Sequence, residues 1–335
     1  MVRYSIKDIA RLSNTSISTV SRTINGSGYV SAEKRQRIQK VIDEIGFRPN
    51  AAAQSLVRHK SGTIGLCIPF LDNPLVSELM MGVESRTREH GLDVFLCHTK
   101  EDEEIERKSL ERLIDRQVEG IIIAPVNCKS SNLQTVISNN IPVVCTIRRS
   151  DDLDVPSVLV DDVRCARRCM QFLLDRGHRR IAVIKGSNIV SSAYSRWQAV
   201  QEVLMEYGLF LPPDYVWQGN LSLNSCYEVA RTILSLENRP TAIFCTHYWA
   251  TASVVRVANE MGISIPNELS LISFESFENW STYMPVQTTA NDYPGFELGR
   301  TATDMLSNLI AGEENAQKHV LLDMEFVDRG SVRAL

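Results

Sequence analysis

The chain has 335 residues, of which 44% are hydrophobic and 23% are charged. These proportions exclude an intrinsically disordered chain and suffice for two or three domains with apolar cores. The formal net charge of −4 is unevenly distributed. Residues 1–60 carry 11 Lys and Arg against 4 Asp and Glu, whereas the rest of the chain carries 25 against 36. A basic end on an acidic body is expected of a protein that touches nucleic acid with one end only.

The cysteines predict neither a disulfide framework nor a zinc site. None of the eight belongs to a Cys-x-x-Cys pair, and several lie in apolar strand-like runs, where a reduced cysteine is a small buried hydrophobe. We therefore expect no metal and no other cofactor. The sequence also has no run near 18 apolar residues and no apolar signal region after Met1, so we expect a cytoplasmic protein.

The first segment of interest, residues 5–25, predicts two short helices. Ser5 followed by Asp8 is a capping box, and apolar residues then recur at helical spacing. Polar residues 13–15 predict a break, because their side chains bond the local backbone in competition with a helix. The second helix is expected to begin at about Ser16.

The second helix presents an unusual outward face. Val20 and Ile24 fall on one side at helical spacing. The opposite side carries small hydroxyls, an amide and an arginine: Ser18, Ser21, Arg22 and Asn25. Such a face suits the major groove, where Arg donates in a fork to guanine and Ser or Asn contacts base edges and phosphates. The alternative is a surface helix that is merely polar on one side.

A third helix follows. Residues 26–28 contain two glycines that end the second helix, Ser31 is placed to cap the next one, and Gly46 ends it. Three short helices with this spacing predict a helix-turn-helix domain.

These motifs resemble the DNA-binding head of the lactose/galactose-repressor family of bacterial transcriptional regulators. The resemblance rests on residues 5–10, 18–22, 25–31 and 46–56, and it extends to about Arg329. It implies that Ile17, Ser18 and Arg22 contact bases. The predicted DNA-contacting residues of the head are Ser5, Ser16, Ile17, Ser18, Thr19, Ser21, Arg22, Asn25, Tyr29 and Ser31.

The segment after the head is expected to be a hinge. Residues 49–61 contain three consecutive alanines and Leu56, but a helix this short is marginal in water. In the family that it resembles, the hinge helix orders on DNA, pairs with its twin across a dimer axis and inserts a leucine into the minor groove, which bends the DNA. The predicted contacts here are Asn50, Gln54, Ser55 and Leu56. The alternative is a plain linker.

Strands and helices alternate from Thr63 onward, which predicts an α/β core with parallel sheets covered on both faces. The resemblance implies a two-lobed, doubly wound core like that of periplasmic binding proteins, with the chain crossing between lobes near Asp161, Thr289 and Val320. The expected domains are a helix-turn-helix domain at 1–48, a hinge at 49–61 and a core at 62–335. Within the core, we expect a first lobe at about 62–160 plus 290–320 and a second lobe at about 161–289 plus 321–335.

The cleft between the lobes is the expected ligand site. Arg196 matches the family's arginine that grips ligand hydroxyls or carboxylates. The alternative is that Arg196 only pairs with an acid across the cleft. The predicted effector-binding residues are Asp72, Asn73, Leu75, Ile147, Arg148, Arg196, Leu221, His247, Tyr248 and Glu275.

Several of these positions depart from the family. Ile147 stands where the family has a strand-end Asp, and His247-Tyr248 where it has Asn-Asp. An arginine without neighbouring acids would favour a carboxylate or phosphate. We therefore expect an anionic effector, a sugar acid or sugar phosphate, held by Arg196 and His247, with Arg148 and Arg149 contributing if they face the cleft. The alternative is a less polar glycoside, with Tyr248 and Trp249 stacking on it.

No enzymatic constellation is present: the sequence lacks a Walker motif, a Gly-x-Ser-x-Gly elbow and a His-Glu-x-x-His motif. His178 is expected to be structural. We predict a dimeric repressor of a carbohydrate-utilisation operon, not an enzyme, that binds an inverted-repeat operator under control of a small molecule. Two alternatives are a solute-binding module, which would have no use for residues 1–58, and an α/β enzyme with an accessory DNA-binding domain.

Overall fold

The computed structural model describes residues 4–47, 61–218, 222–277, 286–313 and 317–335. The chain divides into two compact units, Met1–Gly62 and Thr63–Leu335. The predicted hinge contacts Asn50, Gln54, Ser55 and Leu56 lie outside the described residues, as does Leu221.

The first unit contains three helices: α1 (Ile6–Leu12), α2 (Ile17–Asn25) and α3 (Ala32–Ile45). They enclose a small core of Ile9, Ala10, Val20 and Ile38. The predicted break between α1 and α2 is present, and Asn14 adopts a positive φ of 52° there. Because Asn tolerates this left-handed conformation better than most residues, the tight turn needs no glycine.

Ser5 and Ser31 both occupy the predicted N-cap positions, but only Ser5 makes a capping hydrogen bond. Ser5 and Asp8 form both bonds of the capping box. Ser31 occupies the N-cap position of α3, but its side chain makes no capping hydrogen bond. Its hydroxyl is therefore not used to stabilise the start of that helix.

The second unit contains two six-stranded sheets. The strands are β1 (Thr63–Ile68), β2 (Asp93–His98), β3 (Gly120–Ile123), β4 (Val143–Thr146), β5 (Ser157–Val160), β6 (Ile181–Lys185), β7 (Val216–Gln218), β8 (Ala242–Cys245), β9 (Ser270–Ser276), β10 (Thr289–Asp292), β11 (His319–Leu322) and β12 (Glu325–Val327). The first sheet has the strand order β11-β5-β4-β3-β1-β2 and the second has the order β12-β10-β9-β8-β6-β7. All strand pairs are parallel except β10 with β12.

Each sheet with its helices forms one lobe. The helices of the first lobe are α4 (Pro74–His90), α5 (Glu103–Asp115), α6 (Asn132–Ser138) and α11 (Gly295–Ala311). Those of the second lobe are α7 (Asp162–Asp175), α8 (Ser191–Glu206), α9 (Leu223–Leu234) and α10 (Tyr248–Glu260). A short 3-10 turn, Pro213–Tyr215, precedes β7.

The chain passes between the lobes three times. It leaves the first sheet after β5, returns after β10 and leaves again after β11. The stretch that looks continuous in sequence, residues 320–327, is therefore split between β11 in the first sheet and β12 in the second.

Two glycines let α4 and α11 approach closely. A Cβ atom on Gly82 would lie 2.1 Å from the carbonyl oxygen of Phe296, and one on Gly299 would lie 2.2 Å from the carbonyl oxygen of Leu79. Both neighbours are backbone atoms, which cannot rotate away as a side chain can. The contact between the two helices thus requires glycine at both positions.

None of the helices in the described ranges is long and apolar enough to cross a membrane. All eight cysteines are buried and unbridged.

Candidate functional site

The outward face of α2 carries the predicted base-contacting residues. Val20 is fully buried in the head core, whereas Ile17, Ser18 and Arg22 are exposed, Ile17 by 49%. The stem of Arg22 passes Gly28, where an added Cβ would lie 3.5 Å from Arg22 Cδ. The helix therefore presents an apolar side chain and a guanidinium on the same accessible surface.

The other predicted DNA contacts surround this face. Ser21, Asn25, Thr19 and Ser31 are half-buried, and Tyr29 is the most exposed aromatic of the head at 88%. The predicted head residues other than Ser5 thus lie at the N-cap of α2, on α2 itself or in the loop that leads to the N-cap of α3.

Ser16 and Ser5 differ in how their hydroxyls are used. Ser16 Oγ accepts a hydrogen bond from the Thr19 backbone N–H at 3.1 Å and lies 2.9 Å from Ser18 Oγ. Ser5 Oγ donates to Asp8 Oδ2 at 2.7 Å. Ser16 therefore fixes the start of α2 beside the other hydroxyls, whereas the hydroxyl of Ser5 is occupied within the cap of α1.

The second candidate site lies where several strands of both sheets end. Phe70 follows β1, Arg148 follows β4, His247 follows β8 and Glu275 lies near the end of β9. Because parallel strands end at one edge of a sheet, these residues converge between the lobes. Seven predicted effector residues line the cavity there: Asn73, Leu75, Ile147, Arg148, Arg196, His247 and Glu275.

Two further predicted effector residues within the described part of the chain do not line this cavity. Asp72 is exposed beside it, and Tyr248 lines a smaller neighbouring cavity instead. The cavity wall also contains apolar and hydroxyl-bearing residues that the sequence does not single out: Phe70, Val190, Ser192, Ala193 and Thr246. Their only sequence signal is their position at or just after the end of a predicted strand, or near the start of a predicted helix.

The cavity has a volume of about 40 Å³. That space suits a few water molecules, each of which needs about 10–15 Å³ on this measure. Typical small-molecule sites measure about 300–1,000 Å³. A sugar-sized ligand therefore requires the two lobes to separate.

Hydrogen bonds join the two lobes near this cavity. The backbone N–H of Cys128 donates to the carbonyl oxygen of Ile189 at 2.9 Å. The backbone N–H of Arg149 donates to Ser191 Oγ at 2.9 Å. Both bonds must break or rearrange when the lobes separate.

Arg196 of α8 is the central charged group of the cavity. Its Nε donates to Asp162 Oδ1 at 2.7 Å, and its Nη1 donates to the Thr246 carbonyl oxygen at 2.6 Å. Glu275 Oε2 lies 3.7 Å from Nη1, and the guanidinium stacks on Phe274 with its Cζ 3.6 Å from the ring centre. Arg196 itself is only 6% exposed.

This geometry contradicts the expectation that Arg196 lacks acidic neighbours. Ile147 and Tyr248 replace two carboxylates of the family, but Asp162 and Glu275 supply two carboxylates from other elements. Burial raises the pKa of Asp162 and of Glu275, and the positive charge of Arg196 opposes both shifts. An anionic effector is therefore disfavoured, because a further anion would meet two acids whose charged forms burial already disfavours.

The other predicted arginines are also paired. Arg148 Nη2 donates to Glu101 Oε1 at 2.6 Å, and its side chain is almost completely buried. Arg149 forms an ion pair with Asp151 at 3.1 Å and is half exposed. Both guanidinium groups therefore already have a carboxylate partner within the protein, so neither needs an anionic ligand to balance its charge.

His247 is neutral in this environment. Its Nδ1 accepts a hydrogen bond from the Ala250 backbone N–H at 3.3 Å at the start of α10. Burial, reinforced by the charge of Arg196, lowers the pKa of His247 to about 3. With Nδ1 as acceptor, the ring proton is assigned to Nε2, which has no hydrogen-bond partner among the described residues. His247 therefore offers the cavity an uncharged N–H donor, not a cation.

His178 behaves as expected of a structural residue. Its two ring nitrogens lie 2.9 Å from Thr241 Oγ1 and 3.1 Å from the Arg333 carbonyl oxygen. No group of three or more metal-ligating side chains was found within the described ranges.

Two family models match the chain. Residues 5–50 match the family described as "Bacterial regulatory proteins, lacI family". Residues 61–329 match "Periplasmic binding proteins and sugar binding domain of LacI family".

Characterised relatives match over nearly the full length. The transcriptional regulator DegA of Bacillus subtilis is 30% identical over 337 residues, covering 100% of this chain and 99% of the relative. The ribose operon repressor of Escherichia coli is 30% identical over 97% of this chain and 99% of its own.

Solved structures agree with the fold. A Lac repressor dimer bound to operator and an anti-inducer matches with a TM-score of 0.88 and 23% identity, covering 99% of this chain and 100% of that one. A LacI-family regulator from Enterococcus faecium with bound ribose matches with a TM-score of 0.73 and 26% identity, covering 82% and 99%.

Proposed function

Because this chain belongs to the LacI family of bacterial regulatory proteins, we propose that the cavity between its lobes takes the small molecule that sets its affinity for operator DNA. The protein is a DNA-binding transcriptional repressor with a helix-turn-helix head and an effector-binding core. The observation that carries the assignment is the exposed face of α2, where Ser18 and Arg22 project away from the buried Val20 and Ile17 is exposed at the edge of that face.

On DNA, α2 lies in the major groove. Arg22 donates to a guanine, Ser18 contacts a neighbouring base edge and Ile17 packs against an apolar part of a base. The half-buried hydroxyls and Tyr29 contact phosphates, which fixes the position of the helix. Ser5 is the weakest of the proposed contacts because its hydroxyl is bonded to Asp8.

The operator is proposed to be an inverted repeat bound by a homodimer. A two-fold dimer presents two copies of α2, so its half-sites are expected about one helical turn apart. The hinge residues Asn50, Gln54, Ser55 and Leu56 are proposed to contact the centre of the operator, with Leu56 inserted in the minor groove. A regulator of this kind acts where the chromosome is, in the cytoplasm, and we assign it no catalytic role.

The effector is proposed to be a neutral, hydroxyl-rich molecule such as a sugar. Arg196, Asp162 and Glu275 together carry more acidic than basic groups, and carboxylates accept hydrogen bonds from ligand hydroxyls. His247 Nε2 supplies one uncharged donor for a ligand oxygen. Apolar walls from Phe70, Leu75 and Trp249 suit the C–H faces of a sugar ring. The bound ribose of the Enterococcus faecium regulator is also a neutral sugar.

The size of the cavity suggests how ligand binding is coupled to DNA binding. A ligand that needs more than about 40 Å³ binds only when the lobes have moved apart or rearranged. It can change DNA affinity only by as much as its affinities for the two lobe arrangements differ.

The experiment is calorimetric titration of the full chain with neutral sugars and with their acidic partners, an aldonic acid and a sugar phosphate. We expect a neutral sugar to bind and its acidic partner to bind at least tenfold more weakly. Arg88→Met, which changes an exposed paired arginine of α4 that does not line the cavity, should leave binding intact and serves as the control. Tighter binding of the acidic partner would contradict the proposed ligand class.

The same compounds are then added to a gel-shift assay on the promoter region beside the gene. A bound sugar should change the fraction of shifted DNA. A compound that binds in calorimetry without any effect on the shift would show that the cavity does not control DNA binding.

A further inference from the structure

Two cysteines lie side by side in the first lobe, away from the cavity between the lobes. Cys67 of β1 and Cys97 of β2 are register partners on parallel strands, and β2 is the edge strand of the sheet. Both belong to the apolar cluster that contains Leu110 and Leu113 of α5. Neighbouring strands lie about 4.7–4.9 Å apart, within the Cα separation of about 4.4–6.8 Å that a disulfide spans.

The two thiols differ in access. Cys97 lines an open groove of about 650 Å³ between β2 and α5, together with Ser109, Arg112 and Arg116. Cys97 is 8% exposed, whereas Cys67 is fully buried. A small polar reagent in the groove therefore meets Cys97 first.

The surroundings also favour the thiolate of Cys97. The hydrogen bond from Cys67 is the largest effect that lowers the pKa of Cys97, and the charges of Arg112 and Arg116 with a bond from Ser109 add to it, against the opposing effect of burial. The same pairing raises the pKa of Cys67, which keeps that residue protonated as the donor. Burial raises the pKa of the other six cysteines: Cys128, Cys145, Cys165, Cys169, Cys226 and Cys245.

We propose that Cys97 is a peroxide-reactive modification site and that Cys67 resolves its oxidised form as a Cys67–Cys97 disulfide. In the first step, the Cys97 thiolate attacks one oxygen of hydrogen peroxide, the O–O bond breaks, and the leaving hydroxide takes a proton to become water. Cys97 is then a sulfenic acid. In the second step, the Cys67 sulfur attacks Cys97 Sγ, the S–O bond breaks, and the departing hydroxide takes the Cys67 proton. Overall, two thiols are oxidised to a disulfide and one peroxide is reduced to two waters.

The pairing explains what a buried second thiol contributes. A sulfenic acid exposed to more peroxide is oxidised irreversibly to a sulfinic acid. Condensation with the adjacent Cys67 ends the reaction at a state that a dithiol reductant reverses. Arg112 and Arg116 act on the first step by stabilising the thiolate.

The test treats the native full chain with hydrogen peroxide and maps cysteine states by mass spectrometry. We expect the wild type to lose two hydrogen atoms in mass, to yield a linked pair of peptides containing Cys67 and Cys97, and to recover both thiols with dithiothreitol. In Cys67→Ser, a dimedone adduct should accumulate on Cys97. Cys97→Ser should give neither product, and Cys145 and Cys245 in every sample serve as internal controls.

Three results would contradict the proposal. If Cys97 in the native wild type reacts no faster than Cys145 or Cys245, the site does not exist. That comparison needs no variant, so a variant that fails to fold does not prevent the test. If a sulfenic acid persists on Cys97 beside a free Cys67 thiol, the resolving role of Cys67 is wrong. Arg112→Met with Arg116→Met should slow dimedone labelling of Cys97, and unchanged labelling would overturn the role given to the groove.

Discussion

Nε of Arg196 donates to Oδ1 of Asp162 at 2.7 Å, and this bond joins the buried guanidinium to a carboxylate that is 12% exposed, at the edge of the cavity between the lobes. The pair is held from two helices: Asp162 is the first residue of α7, and Arg196 lies in the first turns of α8. The guanidinium is therefore already bonded within the protein when a ligand arrives. It supports both carboxylates from within the protein, and Glu275 and His247 line the cavity beside it.

Removing Arg196 should destabilise the core strongly. Arg196→Met leaves Asp162 and Glu275 buried without their cation, and breaking a buried ion pair on one side costs about 3–5 kcal/mol. Urea unfolding of the full chain, followed by circular dichroism, measures the change. The matched control is Arg167→Met, because Arg167 pairs with Glu202 and Glu206 at the surface, where such pairs contribute about 0–1 kcal/mol. Equal losses in the two variants would contradict the structural role of Arg196.

The buried His247 should make stability depend on pH. Its pKa of about 3 in the folded protein lies below the ordinary value of about 6.5, so the unfolded chain binds a proton that the folded chain does not. This contribution is present above pH 6.5 and is lost as the pH falls toward 3. Between pH 7 and pH 5 the free energy of unfolding should fall by about 2 kcal/mol from this residue alone.

His247→Asn isolates that contribution, since Asn also accepts a hydrogen bond at a helix N-cap. Urea unfolding at pH 7 and pH 5 should show the variant losing about 2 kcal/mol less than the wild type over this step. Other titrating groups are common to both proteins and cancel in the comparison. An identical pH dependence would mean that the imidazole is protonated in the folded state.

The contact between α4 and α11 should not tolerate a methyl group. In Gly299→Ala the new Cβ would lie 2.2 Å from the Leu79 carbonyl oxygen, so one helix must shift. Gly91→Ala is the control, because Gly91 has a positive φ of 66° but no atom within 4 Å of an added Cβ, and left-handed strain alone costs about 1–2 kcal/mol. We expect Gly299→Ala to lower the melting temperature well beyond Gly91→Ala. A smaller effect would show that the helices can move apart.

Much of the core followed from sequence because its strands are buried on both faces and read as continuous apolar runs. The apolar runs at residues 157–160, 181–184 and 242–245 predict strands, and β5, β6 and β8 lie at these positions to within one residue. The helix α11 was not predicted, although Pro294 before it and Gly312 after it are ordinary boundary signals. Residues 319–322 and 325–327 belong to different sheets because they pair with different strands. Those strands are distant in sequence, so no local sequence pattern predicts the pairing.

The site was predicted less well than the fold. The positions after strands 1, 4 and 8 were identified because strand ends converge in parallel sheets. The prediction that Arg196 has no acidic neighbours was wrong. Asp162 and Glu275 are far from Arg196 in sequence, and only folding brings them into contact with it. The neutral state of His247 also depends on burial, which composition cannot supply.

The exposed face of α2 is proposed to bind a specific operator through Arg22. The most direct measurement is fluorescence anisotropy of the full chain on a promoter fragment beside its gene and on a scrambled fragment of equal length, at one fixed salt concentration. The wild type should bind the promoter at least about 10³-fold more tightly. Arg22→Ala should lose about 1–3 kcal/mol per half-site on the promoter and much less on scrambled DNA, whereas Arg88→Ala, an exposed arginine of α4, should match the wild type. Equal losses on both fragments, or a wild type with no preference for the promoter, would contradict the claim.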